Sequence, residues 1–145
     1  MKVTFPAMRG IIGKREYYAT VIALSEVPHL FKFNDWAECT PELRAQRVLN
    51  ESRIPEIAHY ILENEDGYLF SSITASYDCE MKFTPTAESS DVGTIELELE
   101  RAQFIINDGQ HRCAAIAHAL KQNPALGKEK ISVLLFPMVD LHRLQ

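Results

Sequence analysis

The stretch FIINDGQHRCAAI, Phe104 to Ile116, narrows the folds open to this chain more than any other. A β-branched, apolar run reaches Asn107-Asp108-Gly109, and apolar residues then recur at helical spacing. A strand must therefore turn into a helix almost at once. Gly109 allows so sharp a turn, and Asp108 offers a carboxylate to cap the helix. The first helical turn, however, holds Gln110, His111 and Arg112. Unpaired N–H groups make a helix N-terminus partly positive, so cations there are mildly unfavourable. Two readings stay open: the side chains point into solvent, or an anion gathers the N–H groups, the imidazole and the guanidinium.

The rest of the chain repeats this mixture of strand and helix signals. YYATVIAL, Tyr17 to Leu24, is β-branched and aromatic and reads as a buried strand. Thr40-Pro41-Glu42 starts a helix that runs to about Leu49, leaving Arg44 and Arg47 together on one face. Pro55 starts another, with Ile57, Tyr60 and Ile61 on one stripe and Asn64 and Gly67 at its end. YLFSSITASY and MKF are strand-like, and TPTAESSDVG is a loop by its Pro, Ser, Asp and Gly. TIELELE alternates strictly, which points Ile95, Leu97 and Leu99 inward. FIIN is expected as a short buried strand and ISVLLF as a last central one. The helix between them, about Gln110 to Gln122, is expected to pack through Cys113, Ile116, Ala117 and Leu120 and to stop at Pro124 and Gly127. Interspersed elements with hairpin-like pairs in the middle predict an α+β (α/β mixed) fold, a mixed sheet flanked by helices.

A chain of 145 residues supports one domain with a real core, and one domain over residues 1–145 is expected. The tail FPMVDLHRLQ stops where a new element begins, so the chain reads as the N-terminal part of a longer protein. No apolar run is long enough to span a membrane, and the N-terminus lacks a signal peptide's apolar core. Cys39, Cys79 and Cys113 are scattered and odd in number, which fits reduced thiols in a cytoplasm rather than disulfides or zinc. His111 and His118 lie two helical turns apart, and His29, His59 and His142 are isolated, so no metal site is expected. The net charge of −5 does not by itself suggest a nucleic-acid binder. Its distribution is more telling: +2 over residues 1–54, −10 over 55–100 and +3 over 101–145. The two flanks are where a basic surface would be found.

Two basic clusters occur there besides the 109–112 turn. Arg44, Arg47 and Arg53 form one; Arg47 and Glu51 are an i, i+4 pair that also suits a plain solvated face. Arg9, Lys14 and Arg15 form the other, but RGIIGKR has the wrong spacing for a phosphate loop and no Ser or Thr follows.

The DGQHR pentapeptide, after a strand and before a small-residue helix, resembles the signature of the DGQHR-domain proteins, distant relatives of ParB and sulfiredoxin nucleotide-binding domains. Three stretches in order resemble the DndB family of DNA sulfur modification proteins: RAQRVLNESRIPEIAHYILEN, YLFSSITAS and IINDGQHRCAAI. The likeness runs from Arg9 onward. It implies a ParB-like domain in which Gly109, Gln110, His111 and Arg112 hold nucleotide phosphates. It implies a DNA-binding regulator that restrains transcription of the phosphorothioation genes through their promoter region. Arg44, Arg47 and Arg53, with Arg9, Lys14 and Arg15, would meet DNA. ATP or another nucleotide would be the cofactor, and a further copy of the chain is a possible partner. The alternative is a nucleotide triphosphatase using Mg2+, with Asp108 and His111 as its catalytic pair. One departure matters: the reactive cysteine of sulfiredoxin precedes the His-Arg pair, and here that position is Gln110. Thiol-based sulfinic acid reduction is therefore not expected.

Overall fold

In the computed structural model, residues 2–31, 53–64, 66–100 and 102–138 are described. The helix expected over 40–49, and with it Arg44 and Arg47, lies outside them. Gly13 and Lys14 set the first turn. Both have positive φ, 57° and 65°, the two left-handed positions that let a two-residue loop match the twist of a hairpin. They join β1 (Lys2–Ile12) to β2 (Arg15–Ala23), paired antiparallel from Ile12 opposite Arg15 to Ala7 opposite Thr20. A 3-10 turn (Leu24–Glu26) and the short α1 (Val27–Leu30) follow. Next in the described chain come α2 (Arg53–Glu63), β3 (Ile73–Asp78), β4 (Met81–Pro85), β5 (Val92–Glu98), β6 (Gln103–Asp108), α3 (Gln110–Gln122), a 3-10 turn (Pro124–Lys128) and β7 (Lys130–Pro137).

The seven strands form one mixed sheet in the order β4-β5-β1-β2-β7-β3-β6. The β3–β7 pair is parallel, and β1–β2, β1–β5, β3–β6 and β4–β5 are antiparallel. The expected α+β class with a mixed sheet is what the chain forms. By its contacts the chain divides into two compact units. One comprises Met1–Ile22, Ser72–Asp108 and Ser132–Gln145; the other comprises Ala23–Ser71 and Gly109–Ile131.

In the sheet unit, alternate residues of five strands are buried: Phe5 and Ala7 in β1, Tyr18 and Ile22 in β2, Ile73 and Ala75 in β3, Ile95 and Leu97 in β5, Val133 and Leu135 in β7. This is the period-2 pattern of a sheet with one covered face. Thr20 is buried among them and satisfied, its hydroxyl donating to the Pro6 carbonyl at 2.6 Å. Asn107 likewise donates to the Ser76 hydroxyl at 2.8 Å.

Several expectations need correction. β1 is a full strand where none was expected. The YLFSSITASY strand begins only at Ile73, and Leu99 falls in the turn after β5. FIIN is not buried: β6 is the outer strand beside β3, with Ile106 covered and Ile105 45% exposed. Gly93, read as part of a loop, is a buried residue of β5. A Cβ there would stand 2.1 Å from the Thr84 carbonyl oxygen, so only glycine lets the strands approach.

In the helical unit, α2 buries Ala58 and Ile61, while Ile57 is half-buried and Tyr60 exposed. It closes where Asn64 donates back to the Tyr60 carbonyl and Gly67 and Tyr68 donate to the Asn64 carbonyl. α3 spans the expected residues, but its buried stripe is Cys113, Ala115, Ile116 and Ala119. Ala117 and Leu120 are only half-buried. Three small residues among these four, Cys113, Ala115 and Ala119, let α2 pack closely against α3.

Candidate functional site

Gly109 is the N-cap of α3, with φ 107° and ψ 19°, a backbone conformation that L side chains rarely adopt. The helix thus begins on glycine rather than on Asp108, which is the last residue of β6, opposite Thr74. No side chain caps at the Gly109 position. The first N–H groups of α3 are presented beside Gln110, His111 and Arg112, all half-buried.

Arg53, the first residue of α2, is exposed and lies close enough to His111 for its charge to be felt. Burial chiefly, and then the Arg53 guanidinium, hold the His111 imidazolium below the usual histidine value of 6.5. The imidazole is therefore neutral at pH 7 and can donate one hydrogen bond and accept another. An anion would oppose the Arg53 effect, since it offsets the guanidinium charge and favours a protonated imidazole.

Arg112 points elsewhere. It lines a cleft of about 370 Å³ together with Glu56, Ile57 and Tyr60 of α2 and with Leu69, Phe70 and Ser71. Its Nε is buried and makes no hydrogen bond, while the residue has other interactions. Tyr60 is fixed in the wall: its hydroxyl accepts from the Leu69 N–H at 3.1 Å, and its ring centre lies 6.1 Å from that of Phe70. Tyr68 packs edge-on against Phe70 at 5.5 Å. The Tyr68 hydroxyl donates to Glu129 at 2.9 Å, and burial first, then this bond, push it up to about 12.

The structure thus brings two of the expected residues, Arg53 and His111, near each other at the start of α3, while Arg112 of the same helical turn lines the cleft. The other basic cluster belongs to the sheet unit and is partly committed. Arg9 Nε donates to Asp91 at 3.3 Å, and its guanidinium lies 4.7 Å from the centre of the Phe83 ring. Lys14 is exposed at the hairpin tip, and Arg15 opens β2 half-exposed. Cys113 is fully buried, and burial pushes its thiol up to about 12 although Arg112 acts the other way. That environment excludes an easily formed thiolate. No cluster of His, Cys, Asp and Glu able to hold a metal occurs among the described residues.

Sequence reasoning missed the cleft. Part of its signal was present in the aromatic residues Tyr60, Tyr68 and Phe70, but YLF read as the start of a strand and nothing local tied them to Arg112.

Fold and site together define an α+β protein with a basic helix start beside an aromatic cleft. The chain belongs to the DndB family, described as DNA-sulfur modification-associated, whose family model matches residues 5–145. The family ties it to DNA sulfur modification. No curated protein and no solved structure is similar to it. No helix among the described residues is long and apolar enough to cross a membrane.

Proposed function

We propose that this chain is a DNA-binding regulatory protein of the phosphorothioation machinery, acting in the cytoplasm on the promoter region of the modification genes. A nucleotide phosphate bound at the start of α3 would tune that binding. The observation that carries the reading is the basic start of α3, where Arg53 lies near His111 and Arg112 of the same turn lines the adjoining cleft, in a member of a DNA sulfur modification family. The positive end of α3, a neutral imidazole and two guanidinium groups are the chemistry that favours an anion. Arg112 is the main charge partner, His111 supplies a hydrogen bond and Gly109 permits close approach.

The test is a titration of promoter DNA with the chain, with and without ATP and Mg2+, over a range of salt. Binding that falls steeply with salt and shifts on adding ATP supports the reading. Catalytic release of phosphate would move it toward a nucleotide triphosphatase. DNA affinity indifferent to both salt and nucleotide would remove it.

A further inference from the structure

A phosphate alone leaves most of the Arg112 cleft unused. Tyr60 is 39% exposed and Leu69 84% exposed, so apolar and aromatic surface stands open beside a guanidinium. The surface is built rather than loose, because the Tyr60 hydroxyl and the Leu69 N–H pin ring and backbone together. Phe70 backs the tyrosine ring and Tyr68 backs Phe70 in turn. Around this wall stand a carboxylate, Glu56, and a hydroxyl, Ser71. An aromatic ring, a cation and a carboxylate acceptor in one lining are the three groups that a base, its phosphates and its exocyclic amine require. A volume of about 370 Å³ lies in the lower part of the range of small-molecule sites.

We infer that this cleft seats the base of a nucleotide whose phosphates lie against Arg112 and the start of α3. The inference rests on the phosphate site proposed above and adds that the ligand is read by its base. The aromatic wall formed by Tyr60 stacks the base. Glu56 accepts from an exocyclic amine, which favours ATP, GTP or CTP over UTP, whose base has none.

Calorimetry on the whole chain, using ATP, UTP, adenosine and inorganic tripolyphosphate, tests this. ATP is expected to bind about tenfold more tightly than tripolyphosphate, the scale of one stacked base. Tyr60→Ala and, independently, Leu69→Ser should erase that difference and leave tripolyphosphate binding unchanged, whereas Tyr60→Phe, which keeps the ring and loses only the bond from the Leu69 N–H, should retain most of it. The Leu69 side chain is almost wholly in solvent, so its variant tests the cleft even if Tyr60→Ala fails to fold. Glu56→Gln should narrow the gap between ATP and UTP. Equal binding of ATP and tripolyphosphate, or a difference that survives both wall variants, overturns the base cleft and spares the phosphate site. Adenosine binding without tripolyphosphate binding does the reverse, and binding of neither overturns both.

Discussion

Arg112 was legible in the sequence as a cation in an unfavourable place. Its second role, as part of an aromatic cleft, was not, because Tyr60 and Phe70 reach it from stretches far away in sequence. Arg112→Ala should weaken phosphate binding by about 1.5–3 kcal/mol, the scale for hydrogen bonds to charged groups, and lower the melting temperature only modestly, through the packing its half-buried side chain gives up. Calorimetry and thermal melts together check both halves. His111 gives a pH dependence of defined sign. Its value in the folded chain is lowered, so just below pH 6.5 the unfolded chain binds more protons than the folded one. The His111 contribution therefore makes stability rise with pH through that window and fall as the solution is acidified. A bound anion should raise its value, so phosphate binding near pH 6 should take up a proton, visible as a binding heat that changes with buffer. Cys113 was read as inert packing, and its full burial agrees. In the native chain it should resist thiol reagents that reach half-exposed Cys79, as mass spectrometry of alkylated peptides would show.

Elements with a clean period were legible; elements interrupted by special residues were not. α3 was bounded correctly because its apolar residues and Pro124 leave little choice, but its buried stripe was shifted toward alanines that hydrophobicity alone underrates. β1 was hidden by Pro6, which cannot donate to the ladder, and by Gly10, which has no side chain to signal a face. In the fold Pro6 keeps a use, as its carbonyl takes the buried Thr20 hydroxyl. Gly93 misled in the opposite direction, looking like a loop residue while serving as a contact point between backbones. Gly93→Ala should cost about 3 kcal/mol, the upper part of the overpacking range, because the obstructing atom belongs to the Thr84 backbone. Gly109→Ala should cost at least about 1 kcal/mol from its φ of 107° alone. Asp108, one position before the cap, is expected to matter less than a true N-cap would. Denaturant melts of the three variants rank these effects.

At the scale of the molecule, the charge tally pointed to basic flanks, and the structure sorts them. Arg9 is held by Asp91 and Phe83, whereas Lys14 and Arg53 are exposed. On the proposed DNA-binding role, Arg53→Glu and Lys14→Glu should each weaken binding to any DNA sequence and flatten its dependence on salt. Arg9→Ala should instead lower stability modestly and spare affinity. Gel-shift titrations at two salt concentrations separate these outcomes. The sheet order could not be read from the chain at all, since pairing of distant strands leaves no local mark.

That order also sets a schedule. β1 finds β5 only when Lys2 meets Glu98, and β3 waits for its parallel partner until Val133 reaches Ile73. β7 lies between β2 and β3, so it joins the strands on its two sides. A chain emerging from the ribosome carries an open seam there until β7 has been made, and two strand edges stay available to wrong partners meanwhile. Such distant pairings make refolding slower than that of a helical bundle. The cell therefore meets this protein first as an unfinished sheet, at the stage when a chaperone has most to offer it.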